Sequence, residues 1–461
     1  MTESVDVVIV GGGLAGVRTA VGLHDVGATF VLIEASDRLG GRVHTIIDPS
    51  LPGGHVDVGA RQIGQGYRRT WELLRRYGLE TVDEDVHLEP FVYLIGSQFI
   101  AAEAWPTSPL NPFPEPLRAV PLPAQGPAWL TRHDPFGTLE EWRSPDFAHL
   151  DTPIVNHLRA DGFSDEAIRL FSLSLHSANV ESTSYLTVAQ EHHRILDEIK
   201  LTSGGSMAIE SAAGGASSVR IPIQNIIGGT GVLVKAMAAP FVDRIRLGSP
   251  VVSIDLDPNG SGALVTLADG STVRTGQVVS AVPFTALRHI AITPRLSTSR
   301  SVVVNEMPYT TNTRVWARVS RPFWDDDGHA PSTFSDAPFR SCMVLRESGR
   351  PTTAMFLISG DAARAVDSGA DDIATAVITS FETHRPAARD ALTPYLVSSW
   401  GRAPHIEGLR HSFPAGHMTT WLAQLATPWH GLHFAGEHTR EREMGMEAAL
   451  ESAERVLAEL G

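Results

Sequence analysis

Two rhythms of apolar and polar positions alternate along the chain. Val5 to Val10 (VDVVIV) is a near-continuous apolar run, closed at once by Gly11-Gly12-Gly13. A strand buried in a parallel sheet has this pattern. From Leu14 the spacing becomes helical, with Leu14, Val17, Val21 and Leu23 on or near one face and Gly27 as the stop. Thr29 to Glu34 (TFVLIE) reads as a second buried strand. Together they predict a strand–helix–strand unit with a right-handed crossover.

The later segments are less regular. Arg68 to Tyr77 reads as a helix. Eight prolines between Pro106 and Pro127 exclude a continuous helix or central strand and predict an extended surface excursion on a second domain. Phe163 to Leu201 carries two helical patterns around a polar turn at Glu181 to Ser184. Ile227 to Gly231 reads as a loop opening a short helix. Strand patterns follow at Ile245–Leu247, Val251–Leu256, Ala263–Leu267 and Gln277–Val282, with turn signals at Asp257 to Gly260 and Asp269-Gly270. Val315–Val319 and Thr353–Ile358 alternate like half-exposed antiparallel strands. His430 to Gly436 reads as a strand, and Gly445 to Leu460 as an amphipathic closing helix. There are no internal repeats.

A length of 461 residues suggests two or three domains. With 43% hydrophobic and 19% charged residues, a disordered or fibrous chain is excluded. The formal charge of −15 argues against non-specific binding to nucleic acid or an anionic membrane. The single cysteine, Cys342, permits neither an intrachain disulfide nor a cysteine metal cluster. No run approaches the ~20 apolar residues of a membrane helix, and the N-terminus lacks the pattern of a secretory signal. The expectation is a soluble, cytoplasmic protein with a core large enough to bury a ligand.

The clearest chemistry lies at Gly11-x-Gly13-x-x-Gly16, between a predicted strand and a predicted helix, with Glu34 ending the next strand. Gly11 permits a tight turn, Gly13 lets the backbone approach a pyrophosphate, and Gly16 lets helix and strand pack closely. The helix N-terminus, with Leu14 and Ala15 in its first turn, offers free N–H groups to that pyrophosphate. Glu34 can accept hydrogen bonds from ribose hydroxyls. These features predict dinucleotide binding and leave NAD and FAD both open. Arg38-Leu39-Gly40-Gly41-Arg42 adds a guanidinium that can sit beside the same diphosphate.

The run from Val5 to Arg42 resembles the FAD-binding start of the flavin amine oxidase family, which includes monoamine, polyamine and L-amino-acid oxidases. Asp57-Val58-Gly59-Ala60-Arg61-Gln62-Ile63-Gly64 is similar to that family's loop beside the isoalloxazine ring. Gly228-Gly229-Thr230 to Ile254 resembles its second nucleotide segment, in which Val251 would touch the adenine region through its backbone. Met307-Pro308 to Pro322-Phe323-Trp324 resembles a substrate-domain hairpin. Trp400, the Phe413 to Gly416 run, His433 to Glu437 and Met446 to Ala449 resemble the C-terminal signature. The resemblance implies an α/β fold: a Rossmann-like FAD-binding domain of the glutathione-reductase and amine-oxidase type, plus a mixed-sheet and helical substrate domain. The FAD domain would take 1–85, 220–285 and 396–461, and the substrate domain 86–219 and 286–395. Cofactor contacts would come from Gly11, Gly13, Leu14, Ala15, Gly16, Glu34, Ala35, Arg38, Gly41, Arg42, Gly59, Ala60, Arg61, Gln62, Val251, Trp400, Gly436, Glu437, Gly445, Met446 and Ala449. The reaction would be hydride removal from a carbon bearing nitrogen onto flavin N5, with dioxygen reoxidising the flavin to give hydrogen peroxide. A flavin dehydrogenase or desaturase acting on C–C bonds is the alternative.

Three departures from the family stand out. The residue that usually presents a lysine to the flavin is Arg314, counted back from Pro322; with Arg61 and Trp400 it completes the candidate catalytic set. Arg keeps the charge but cannot readily deprotonate, so it can hold water at N5 or bind an acidic group on the substrate. The two aromatic cage positions fall at Leu409 and Gly445, leaving a wider pocket that Trp316, Tyr185 or Trp400 could fill from elsewhere. Arg61 lies one residue out of register with the family's carboxylate-gripping arginine. Loss of the cage and the lysine is compatible with a biosynthetic enzyme whose iminium is captured within the molecule. Cys342 is far from the position of the family's covalent flavin link, so non-covalent FAD is expected. Expected partners are a small nitrogen-containing substrate and O2, with neither nucleic acid nor membrane; a homodimer is left open. No metal is expected. His176, His192 and His193 read as surface or core histidines, Asp325 to Asp327 as a solvated turn, and Ser203 to Ser218 contains no hydrolase elbow.

Overall fold

The computed structural model describes residues 3–83, 87–175, 178–203, 223–347 and 350–461. Glu3–Val10 and Phe30–Ile33 form parallel strands with Val7 opposite Phe30 and Val10 opposite Ile33. All four residues of the second strand are buried, as a continuous apolar run requires when both sheet faces are covered. The helix Leu14–Asp25 joins the two strands. It ends where Gly27, at φ +76°, returns its N–H to the His24 carbonyl.

These strands belong to an eight-stranded sheet. Its order is Ile245–Arg246, Phe30–Ile33, Glu3–Val10, Thr272–Ser280, Ala263–Leu267, Val251–Leu256, Ala291–Thr293, with Leu432–Phe434 added beside Thr272–Ser280. Leu14–Asp25 packs against the closing helix Gly445–Leu460, and Gly22 makes the approach possible. A Cβ at Gly22 would lie 2.3 Å from a Leu457 methyl carbon. The core here joins both ends of the chain: Val7, Ile9, Val17, Val21, Leu32, Met446, Leu450 and Val456 form one cluster.

A second eight-stranded sheet runs Leu392–Ser399, Asn312–Val319, Arg350–Ser359, Ser341–Glu347, Ser332–Ser335, Phe91–Ile95, Gln98–Ala101, with His87–Leu88 beside Ser341–Glu347. Its strands pair antiparallel except Ser332–Ser335 with Phe91–Ile95. The molecule therefore has the mixed α/β architecture expected, with a strand–helix–strand start. Among the described residues no helix is long and apolar enough to cross a membrane.

Four expectations are corrected. The proline-rich stretch is not a surface excursion. It forms short 3-10 turns whose Trp105, Phe113, Leu117 and Leu122 are buried among Trp129, Phe163 and Phe171. Proline breaks regular structure without making a segment polar, and aromatic and leucine side chains between the prolines drive burial. Met307 to Trp324 does not fold as a hairpin: Asn312–Val319 lies between Arg350–Ser359 and Leu392–Ser399, both distant in sequence. Val315, Trp316 and Ala317 are consecutively buried, since that central strand is covered on both faces. Asp325 to Asp327 is a helical turn, and Asp327 is not merely solvated. Its carboxylate takes two hydrogen bonds from the fully buried Arg385, at 2.8 and 3.1 Å. His176 and nearly all of Ser203 to Ser218 lie outside the described residues.

Candidate active site

A cavity of about 1140 Å³ runs between the two sheets. That exceeds the range of most small-ligand pockets, roughly 300–1,000 Å³. At one end stands the glycine turn. Gly11 has φ +104°, and a Cβ there would sit 2.8 Å from Val282. Gly13 faces open space, with nothing within 4 Å of its would-be Cβ. The helix behind it starts without a side-chain cap and with no acid in its first turn, so its N–H groups remain available to an anion. Gly16 does not face the cavity. Its Cβ would lie 2.0 Å from the Gly11 carbonyl oxygen, so its task is helix–strand contact.

Glu34 lines the same end. Its Oε2 accepts from Gly12 N–H at 2.6 Å, and its Oε1 from Ser36 N–H at 2.8 Å and Ser36 Oγ at 2.7 Å. A carboxylate has about four lone-pair sites, so one remains unused while the others fix the turn. Ala35, Arg38, Gly41, Arg42 and Val251 continue this wall. Gly59 and Ala60 follow, pinned close to Arg42: a Cβ at Gly59 would lie 1.9 Å from the Arg42 carbonyl oxygen. Arg61 and Gln62, expected beside them, are not among the lining residues; Gln62 is exposed.

The C-terminal wall comprises Trp400, Gly436, Glu437, Gly445, Met446 and Ala449. Arg42 Nη1 donates to the Leu409 carbonyl and lies 3.5 Å from Glu437 Oε2. Glu437 is also 3.3 Å from His411 Nδ1. Burial pushes its carboxyl up, but His411, Arg42 and Arg440 together hold it well below the usual range. Burial and the neighbouring His411 and Arg42 push the adjoining His438 down to about 3, so its ring is neutral. The helix Gly445–Leu460 opens into the cavity without a side-chain cap; its first-turn Glu447 is turned away, accepting from Arg69 N–H at 2.8 Å and Thr70 N–H at 3.2 Å.

Arg314 stands at the far end, on the second sheet. Its Nε is buried and meets no acceptor. Burial, helped by the charge of Arg61, lowers its guanidinium to about 10, so it remains a cation at neutral pH. Asn312 lines the cavity from the same strand, two residues away and hence on the same face. Opposite them on Arg350–Ser359, Leu357 pairs with Arg314 and Ser359 with Asn312. Asn312, Leu357 and Ser359 line the cavity in addition to the residues the sequence pointed to. The two-residue spacing from Arg314 could have found Asn312, whereas the other two depend on a cross-strand register.

Leu409 and Gly445, the two cage positions, both line the cavity. Trp400 lines it as well; Trp316 and Tyr185 do not. Tyr185 instead stacks on His157 with ring centres 4.2 Å apart. The phenol oxygen of Tyr67 lies 3.7 Å from where a Cβ on Gly445 would be, so a ring from another element abuts that position. His192 and His193 are buried partners of Thr131 and Asp134, at 2.8 and 2.7 Å.

A model of the family described as flavin containing amine oxidoreductase matches residues 14–460. Amine oxidase [flavin-containing] B of Sus scrofa is 24% identical over 478 residues, spanning 100% of this chain and 86% of that protein. The Homo sapiens protein of the same name is 24% identical over 477 residues, with the same coverage. Among solved structures, wild-type putrescine oxidase bound to putrescine superposes with a TM-score of 0.73 at 20% identity, covering 100% of this chain and 99% of the other. Cyclohexylamine oxidase from Brevibacterium oxydans IH-35A gives 0.74 at 23% identity, covering 99% of each chain.

Proposed function

This chain belongs to the flavin containing amine oxidoreductase family, and from that premise we propose that it oxidises the C–N bond of a small amine, amino acid or amide, with non-covalent FAD and O2. The observation that carries the reading is one cavity continuous from Gly13 and Glu34 to Arg314, Leu357 and Trp400. It joins a dinucleotide cradle to a space lined by Leu357, Leu409 and Trp400 together with the polar side chains of Asn312, Arg314 and Ser359. FAD, when bound, supplies a two-electron acceptor for the hydride leaving the carbon next to nitrogen, and passes those electrons to O2 as hydrogen peroxide.

The residues fit such a group. The uncapped helix start at Leu14 and Ala15 would hold the diphosphate, with Arg42 alongside. Glu34 would take a ribose hydroxyl on its remaining lone pair. Val251 would meet the adenine through its main chain, and Met446, in the first turn of an uncapped helix, would offer its N–H to the ring system. Trp400, Leu357 and Leu409 would exclude water around the reacting carbon. Arg314 would hold a fixed positive charge there. Still protonated at neutral pH, it takes up no proton, so the substrate nitrogen must arrive uncharged. A neighbouring cation favours that, because it lowers the pKa of a bound amine. Cys342 is buried in Ser341–Glu347, away from the cavity, which supports the absence of a thioether link. The substrate nitrogen leaves as an imine that water hydrolyses or an internal nucleophile captures.

The test is product accounting. Purified enzyme incubated in air with panels of amines, amino acids and amides should form one peroxide for each carbonyl or cyclised product. Turnover of a substrate without nitrogen, leaving a new C=C bond and no such product, would replace this reading with a desaturase.

A further inference from the structure

Arg314 and Asn312 lie side by side on the face of Asn312–Val319 that lines the cavity, and each carries a buried atom with no partner. On Arg314 the atom is a donor, Nε; on Asn312 it is the acceptor Oδ1. The Arg314 side chain makes no hydrogen bond or ion pair to any described residue, and no carboxylate offsets its charge; the other charge acting on it is Arg61, of like sign. A half-buried cation without a counter-ion is costly, and its buried Nε, left unmet, adds to the cost. Among the described residues the other buried arginines are paired with carboxylates, except Arg300, which donates to the Gln424 carbonyl at 3.2 Å and lies over the Phe434 ring. Buried Arg385 has Asp327, Arg194 has Glu443, and Arg440 has Glu191. Ser359, directly opposite Asn312, adds a hydroxyl that caps nothing.

Building on the oxidation proposed above, we infer that the substrate is an acid: its carboxylate pairs with Arg314, and its N–H donates to Asn312 Oδ1. The guanidinium fork suits a carboxylate. Residues two apart on a strand stand roughly 6–7 Å apart, so a carboxylate and a nitrogen separated by a few bonds span the pair. Leu357 and Trp400 take the apolar remainder. The same charge disfavours a diammonium compound, which would bring like charge toward an uncompensated cation.

The test uses FAD-loaded enzyme with benzoate and benzamide, two probes of one shape that differ in charge. Neither has a hydrogen on a carbon next to nitrogen, so neither can reduce the flavin. Titration calorimetry should show benzoate binding about 10- to 100-fold tighter than benzamide, the range of a charge-assisted contact. Arg314→Leu should abolish the difference and Arg314→Lys should keep part of it, with FAD colour retained in both. Equal affinities in the parent enzyme, or an undiminished preference for benzoate in Arg314→Leu, would overturn the inference; the parent comparison needs no variant to fold. Flavin bleaching by neutral amines is scored separately. Bleaching without a benzoate preference sinks the acid substrate alone, and a benzoate preference without bleaching by any nitrogen compound sinks the oxidation alone.

Discussion

Arg42 Nη1 and Glu437 Oε2 lie 3.5 Å apart across the cavity wall, joining the turn after the second strand to the C-terminal segment. Glu437 is buried and also faces His411, so the pair fixes the wall from both ends of the chain. Arg42→Ala leaves Glu437 with less compensation and removes a cation from the proposed diphosphate end. FAD retention should weaken about 10- to 100-fold, from a charge-assisted bond of ~1.5–3 kcal/mol. Fluorescence titration of reconstituted apoprotein measures it. Unchanged affinity would remove Arg42 from the cofactor wall.

Beside its proposed ribose contact, Glu34 fixes the local backbone. Two of its hydrogen bonds hold the backbone N–H groups of Gly12 and Ser36. Glu34→Ala should therefore lower both FAD affinity and the melting temperature of the apoprotein. Glu34→Gln keeps one acceptor and should recover part of each. An alanine variant with parental FAD affinity would show that this carboxylate touches no ribose.

His438 supplies a pH dependence. Its ordinary value is 6.5, and in the fold it is down to about 3, chiefly through burial and secondarily through His411, Arg42 and Arg455, with Glu437 opposing. Between those values the unfolded chain binds a proton that the folded one refuses. Stability from this site is complete above pH ~6.5 and falls as pH drops toward 3, by about 1.4 kcal/mol per unit. His438→Phe keeps a ring against Phe284, 4.4 Å away. Denaturant melts at pH 6.5 and 5.5 should show a smaller acid loss in the variant than in the parent. Identical losses would mean that His438 titrates normally in the fold.

FAD should leave the protein on acid precipitation, colouring the supernatant yellow. Cys342 is fully buried, its thiol pushed up to about 12 by burial, and it does not line the cavity. Flavin remaining in the washed pellet would mean a covalent bond through another residue.

The glycine-turn end of the cavity was legible because its signals are local. A glycine triplet between a buried apolar run and a helical pattern names both the turn and the helix N-terminus, and Gly11, Gly13 and Gly16 each have the surroundings their spacing implied. Arg314 was reachable by counting back from Pro322. Its neighbours Leu357 and Ser359 were not, because antiparallel register between strands distant in sequence leaves no trace in either strand's periodicity. The Asp327–Arg385 pair was hidden because it joins the end of one helical turn to the end of another helix, a tertiary contact that no local periodicity records. The proline-rich stretch misled because prolines report backbone conformation, while burial followed the aromatic residues between them. Tyr67 reaches Gly445 from another element, so no linear pattern could place it there.

Arg314→Leu should slow flavin reduction or reoxidation by about 10²-fold, the scale of one lost preorganised electrostatic contact. The enzyme should stay yellow, and Arg314→Lys should restore part of the rate. Rapid-mixing absorbance separates the two half-reactions. Parental rates for both in the leucine variant would show that this cation plays no part in the chemistry.

The most direct measurement mixes the FAD-loaded enzyme with candidate substrates under strict exclusion of air, then readmits oxygen. Oxidation of a C–N bond predicts that a nitrogen-bearing compound bleaches the yellow colour with one equivalent per flavin. The colour should then return in air with one equivalent of hydrogen peroxide. Enzyme that stays yellow against every amine, amino acid and amide, yet bleaches with a nitrogen-free substrate, would contradict it.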